Sequence, residues 1–144
     1  IYSKTKGTLK QMKFFSKISP EWALRAGFGV MYLYSGLDLI RHPTAWHWAI
    51  PLWLKNIISS AVSLNTYLAL QGVLEVFFAV VLIGWFMPAR LVRFIALVSA
   101  LEMAAILFFA FVPFSAANFF ITFRDIGLLG GALALLSILL KKDK

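Results

Sequence analysis

The chain has 144 residues, of which 61% are hydrophobic and 14% charged, with a mean hydropathy of +0.84. Soluble domains run near 45–50% apolar and 25% charged, so one soluble core could not hide this much apolar surface. Cysteine is absent, which excludes disulfides, thiol redox chemistry and cysteine-ligated metal within these residues. The net charge of +8 raises the question of nucleic acid. The lysines gather near the two ends, a placement that points to anionic lipid headgroups and membrane orientation and away from nucleic acid.

Residues 1–20 hold Lys4, Lys6, Lys10, Lys13 and Lys17 with Phe14, Phe15 and Ile18 among them. Residues 8–18 read as a basic amphipathic segment on a membrane surface, or as a basic tail without fixed structure. The first residue is not Met, so a processing boundary before it is one expectation. A signal peptide is not expected, because the first long apolar run is of spanning length and lacks a small-residue cleavage site.

Ser19-Pro20-Glu21 has the chemistry of a helix start: a capping hydroxyl, a proline at the first position and an acid near the positive helix end. A first span is expected over about 21–40. Gly29 and Gly36 give it a smooth stripe for a neighbour, Arg25 lies one turn inside its inner end, and Asp38 lies near its outer end. Residues 41–66 form the longest connection. Trp46, Trp48 and Trp53 read there as an interfacial aromatic belt, and Ile57, Ile58, Ala61 and Val62 share one face of a short interfacial helix. His42 and His47 are five apart and lack a third ligand, so hydrogen bonding at the interface outweighs a metal role.

The second span is expected over 67–86, YLALQGVLEVFFAVVLIGWF, with Gln71 and Glu75 four residues apart on one face. Met87-Pro88-Ala89-Arg90 is a turn, and a third span over about 91–111 carries Ser99 and Glu102 on one face. After Pro113, residues 114–123 form a short outer connection. Arg124 and Asp125 open a fourth span to about Leu140, where Gly127 and Gly131 make a GxxxG pair widened by Gly130 and Ala134. Lys141, Lys142 and Lys144 form a basic C-terminal tail. The sequence therefore predicts an all-α, polytopic four-helix membrane bundle in one domain over 21–140. The basic residues at both ends and at the 86–91 turn place those three regions on the cytoplasmic side.

Several stretches carry a family resemblance: LRAGFGVMYLYSGLDLI in span one, LQGVLEVFFAVVLIGWFMPARLVRFIAL across spans two and three, and FRDIGLLGGALALL in span four. Together they cover roughly residues 20–140 and resemble the DoxX family of small four-span membrane proteins. The GVLE segment, followed by an apolar run, a glycine and a short turn with arginine, is its strongest element. The resemblance implies a bacterial inner-membrane location and association with membrane oxidoreductase complexes, including thiosulfate:quinone oxidoreduction. The chain departs from some members in lacking cysteine.

The acids sort by depth. Glu75 lies roughly 12 Å from the outer end of its span and Glu102 roughly 16 Å from the inner end of its own, so both are close to the midplane. A mid-bilayer carboxylate costs at least roughly 2.5–3.5 kcal/mol unless protonated or partnered, so at least one of the two is expected to hold its proton. Gln71, Glu75, Ser99 and Glu102 are then either interhelical glue or a candidate pocket for the headgroup of a lipid-like molecule, a quinone for example, or for proton exchange. Asp38, Arg124 and Asp125 form an outer group, neutralised by an expected Asp38–Arg124 contact. Two functions follow: an accessory or anchoring subunit, without catalysis of its own, in contact with lipids and other membrane subunits; or a quinone- or lipid-binding subunit acting through the Glu75/Glu102 pocket.

Overall fold

The computed structural model describes residues 18–111 and 124–141, and all their regular structure is helical. In chain order these are α1 (Pro20–Arg41), a 3-10 helix (Pro43–Ala49), α2 (Leu52–Ala61), α3 (Leu64–Ile83), α4 (Ala89–Phe111) and α5 (Asp125–Lys141). The expected basic N-terminal segment, the 114–123 connection and the last three residues lie outside the described residues.

The boundaries follow local chemistry, with two departures. Pro20 opens α1, but Ser19 occupies the capping position without a side-chain hydrogen bond. Glu21 is instead engaged by Arg25, at 3.3 Å from guanidinium to carboxylate. The second apolar helix starts at Leu64 and not Tyr67, because the Ser63 hydroxyl accepts from the Thr66 amide at 3.1 Å. It also stops at Ile83, three residues before the expected end, so Trp85 and Phe86 belong to the turn that leads into α4. The whole helix is thus displaced toward its N-terminus, and Glu75 sits roughly 17 Å from its N-terminal end.

Two helices, Leu64–Ile83 and Ala89–Phe109, are long and apolar enough to cross a membrane. The other two expected spans differ in kind. α1 has 22 residues but carries Glu21, Arg25, Asp38 and Arg41 near its ends, while α5 has only 17 residues.

The helices associate as two pairs, α1 with α3 and α4 with α5, and these pairs meet along a shared core. Glycine sets the first pairing. A methyl group added at Gly36 would stand 2.7 Å from the Gly72 carbonyl oxygen, and one added at Gly72 would stand 2.6 Å from that of Gly36. The two backbones therefore touch where both lack a side chain. Gly29 similarly accepts the Ile83 side chain. In α5 only part of the expected small-residue face is used. Gly131 packs on the Phe28 ring, 3.2 Å from the position of an added methyl, whereas Gly127 and Gly130 meet no described neighbour within 4 Å. The main core joins Phe28, Tyr32, Phe78, Leu82, Val92, Ile95, Met103 and Leu135, with the Tyr32 ring standing edge-on to Phe78 at 5.5 Å. A second cluster of Leu39, Ile50, Ile58 and Leu68 seats α2 and the 3-10 helix over the outer end of the first pair.

The crossing makes a direct prediction. Gly36→Val must push α1 off the α3 backbone and is expected to cost about 1–3 kcal/mol, the range of an overpacked core. Gly130→Ala, at a position without a described neighbour, is expected to be near neutral. Unfolding of the purified variants in detergent distinguishes the two.

Candidate functional site

Along α1 the positions 25, 28, 29, 32, 36 and 39 recur at helical spacing and are buried, forming one stripe turned to the interior. Tyr32 and Ser35 stand at its edge facing the polar positions of α3 and α4. The side chains that gather there are Tyr32 and Ser35 from α1, Gln71 and Glu75 from α3, and Ser99 and Glu102 from α4.

The bonds have a definite pattern. The Tyr32 hydroxyl donates to Glu102 Oε2 at 2.8 Å, and Gln71 Nε2 donates to Glu102 Oε1 at 2.8 Å. The Ser35 hydroxyl donates to Glu75 Oε2. Glu75 is buried, 8% exposed, and Glu102 lies half-buried. The two carboxyl groups are near enough for their charges to interact. No cation of the described residues faces them, since the nearest candidate, Arg25, is committed elsewhere. Ser99 is 2% exposed, lies beside the Tyr32 hydroxyl, and its Oγ makes no hydrogen bond of good geometry with any described group.

All four residues expected at the midplane are therefore brought into one cluster. Tyr32 and Ser35 are additions that depth counting on acids alone missed. Their signal was present in the sequence, since a Tyr and a Ser three apart on the glycine face of α1 point where that face points.

Arg25 has a separate role at the inner end. Its Nε donates to the Leu82 carbonyl and its Nη2 to the Gly84 carbonyl, both at 2.8 Å. These carbonyls belong to the end of α3, where the last carbonyl groups of a helix lack partners of their own. The guanidinium thus caps the negative end of α3, with the Trp22 ring 4.1 Å beneath it.

The outer group is also rearranged. Asp38 was expected to meet Arg124. Its carboxylate is instead bonded to His42 Nδ1 at 2.9 Å and to Trp46 Nε1 at 2.8 Å. Arg124 is exposed in the turn that opens α5, where its carbonyl accepts from the Gly127 amide, and Asp125 begins that helix. The physical reason is locality: the chain turns back after Arg41, so partners four and eight residues away reach Asp38 without ordering a distant arginine. Trp46 consequently ties a helix end, and it stacks on Trp48 at 6.3 Å between centroids. Trp48 and Trp53 are exposed, Trp53 with its ring edge-on to Phe109. His47 bonds Asn65 at 2.8 Å, fixing the 3-10 helix to α3.

Comparison with protein-family models, with curated protein sequences and with solved structures returns no match.

The cluster predicts a graded response. Glu102→Leu leaves the Tyr32 hydroxyl and the Gln71 amide without their acceptor and is expected to cost about 1–3 kcal/mol for each stranded group. Glu102→Gln keeps an acceptor for Tyr32, and Gln71 can turn its amide to match, so its loss is expected to be well below that of Glu102→Leu. Detergent unfolding midpoints of the two variants supply the comparison.

Proposed function

We propose that the chain is a four-span membrane bundle of DoxX-like type that serves as an accessory or anchoring subunit of a larger membrane oxidoreductase complex, without catalysis of its own. The observation that carries this reading is the inversion of polarity around the bundle. Val30, Leu33 and Tyr34 of α1, Leu70, Val73 and Phe77 of α3, Phe94, Leu97 and Leu101 of α4, and Ile126, Leu133 and Leu140 of α5 all point outward. The polar cluster points inward. A soluble protein arranges these the other way, and apolar surface on this scale requires lipid or another apolar partner.

The two less regular helices fit the same reading. In α1 the stretch 26–37 contains no charge, and of the charged residues near its ends Glu21, Arg25 and Asp38 are bonded to each other, to a helix end or to the following loop, while Arg41 is exposed. Seventeen residues of α5 cover roughly 26 Å, at the short end of what spans a bilayer. The basic residues Arg90, Arg93, Lys141, Lys142 and Lys144, with the N-terminal lysines, share one side, which is then the cytoplasmic side of a bacterial inner membrane.

The resemblance to the DoxX family supports the assignment to a membrane complex, and the bonding of the cluster supports a non-catalytic role. Each oxygen of Glu102 already accepts from a neighbouring helix, which is how interhelical polar contacts hold a bundle together.

Because the chain contains no cysteine, single introduced cysteines report topology without background. Ser60→Cys is expected to react with a membrane-impermeant thiol reagent in intact cells. Ala89→Cys and Lys144→Cys are expected to react only after permeabilisation. Labelling of Lys144→Cys from the outside ends the proposed topology. Purification in mild detergent is expected to retain at least one further membrane protein, and a stable isolated monomer with turnover of its own refutes the subunit role.

A further inference from the structure

The two ends of the bundle differ, and the difference centres on the turn between α3 and α4. Residues 84–88 are fixed from the inside. Arg25 holds the Gly84 carbonyl, the Met87 amide donates to the same carbonyl at 3.3 Å, and the Met87 side chain packs against the main core. With Gly84 and Met87 turned in, the two residues between them are turned out. Trp85 is 80% and Phe86 67% exposed, their rings edge-on at 5.5 Å. They prolong the outward face of α3, where Phe77, Val80 and Ile83 are exposed, to the point at which charged residues begin. Aromatic rings at such a boundary have the placement of a membrane-interface belt.

The charges beside this turn are of one sign. Arg90, in the first turn of α4, is exposed. Arg93 is half-buried and donates from Nε to the Ala89 carbonyl at 3.4 Å. Lys141, also exposed, closes α5 on the same end, because α5 runs back along α4. The acid found here among the described residues is Glu21, which is 5% exposed and bound to Arg25. At the opposite end Asp38 and Asp125 accompany Arg41, Lys55 and Arg124. The inner end therefore presents exposed cations with no exposed acid among the described residues.

We propose that the 84–88 turn docks on the headgroups of anionic phospholipids, with Trp85 and Phe86 entering the boundary between headgroups and acyl chains and Arg90, Arg93 and Lys141 gathering net-negative lipids around them. The two parts of the patch do different work. The rings respond to the apolar boundary, which any phospholipid supplies. The cations select among lipids, since each basic residue at a membrane surface favours anionic over neutral lipid by about fivefold, an effect that fades within about 8 Å at physiological salt. A lipid surface fits better than an acidic protein patch because the ring pair continues the outward face of α3 without a break. The fixed turn adds to this, since rings already held outward lose little freedom on docking.

This inference rests on the membrane-bundle reading, so the test separates the two. The full chain carries a fluorophore on Leu97→Cys, in the outward face of α4, or on Ala89→Cys, beside the turn. It is placed in phosphatidylcholine nanodiscs that contain a small, equal fraction of spin-labelled phosphatidylglycerol or spin-labelled phosphatidylcholine. Quenching at Leu97→Cys by either lipid reports an embedded bundle, and its absence overturns the bundle and the docking turn together. At Ala89→Cys the phosphatidylglycerol is expected to quench several-fold more strongly, and about 0.5 M salt is expected to remove that preference. Adding Arg90→Gln is expected to lower the relative affinity by about fivefold. Trp85→Ala with Phe86→Ala is expected to weaken quenching by both lipids and to leave their ratio alone. Equal quenching by the two lipids, the behaviour of a patch reserved for an acidic protein, overturns the proposal while leaving the bundle intact. A preference that Arg90→Gln does not change belongs to the lysine-rich ends of the chain and overturns the assignment to this turn. Quenching that survives loss of both rings overturns their entry into the boundary.

Discussion

A carboxyl group placed halfway along an apolar helix has to be met by polar groups of its neighbours, because apolar surroundings offer it no hydrogen bond. Glu102 imposes that requirement on this chain. Meeting it brings Tyr32 and Gln71, nearly 40 residues apart in sequence, to the same carboxyl group, and so fixes how the α1/α3 pair is rotated against α4. A rotation of α1 by one position would carry Tyr32 away and strand the acid.

Glycine and arginine complete the constraint at other depths. Gly36 and Gly72 let α1 and α3 touch backbone to backbone, close enough for Ser35 to reach Glu75. At the inner end Arg25 crosses from α1 to the Leu82 and Gly84 carbonyls and stops α3 there. The three contacts lie successively along α1, at the inner end, the middle and the outer half. They share one face of one helix, so α1 serves as the organising strut although it is the most charged of the long helices.

The helices were legible in the sequence because their signals are local. Proline at position 20, the apolar runs and the turn at Pro88 placed four long helices within a few residues of where they lie, whereas of the four residues expected on the apolar face of α2 only Ile58 is buried. The start of α3 was not, since Ser63 looks equally well placed on the polar face of α2 and as a cap for the next helix. Its end was missed for a different reason. The run continues apolar through Phe86, but Gly84 takes the C-cap position and Arg25 binds the Leu82 and Gly84 carbonyls there. Depth counting found Gln71, Glu75, Ser99 and Glu102, because residues at like depth on helices joined by a short turn are forced together. It failed for Asp38, where a nearby histidine and tryptophan compete with a distant arginine. Hydropathy and charge reveal which groups need partners, but only the three-dimensional path decides which partner arrives first.

The same distinction separates the two ends of the polar face. Asp38 lies where water and the outer loop can reach it, so its bonds to His42 and Trp46 are two choices among several. Glu102 has no such freedom. Its partners are fixed by helices that cannot slide without breaking the Gly36–Gly72 contact. The hydroxyls of Tyr32, Ser35 and Ser99 can each donate or accept without moving their heavy atoms, and of these Tyr32 is the one bonded to Glu102. Its place between the Glu102 carboxyl and the buried Ser99 ties α1 to α4 where the interior is polar.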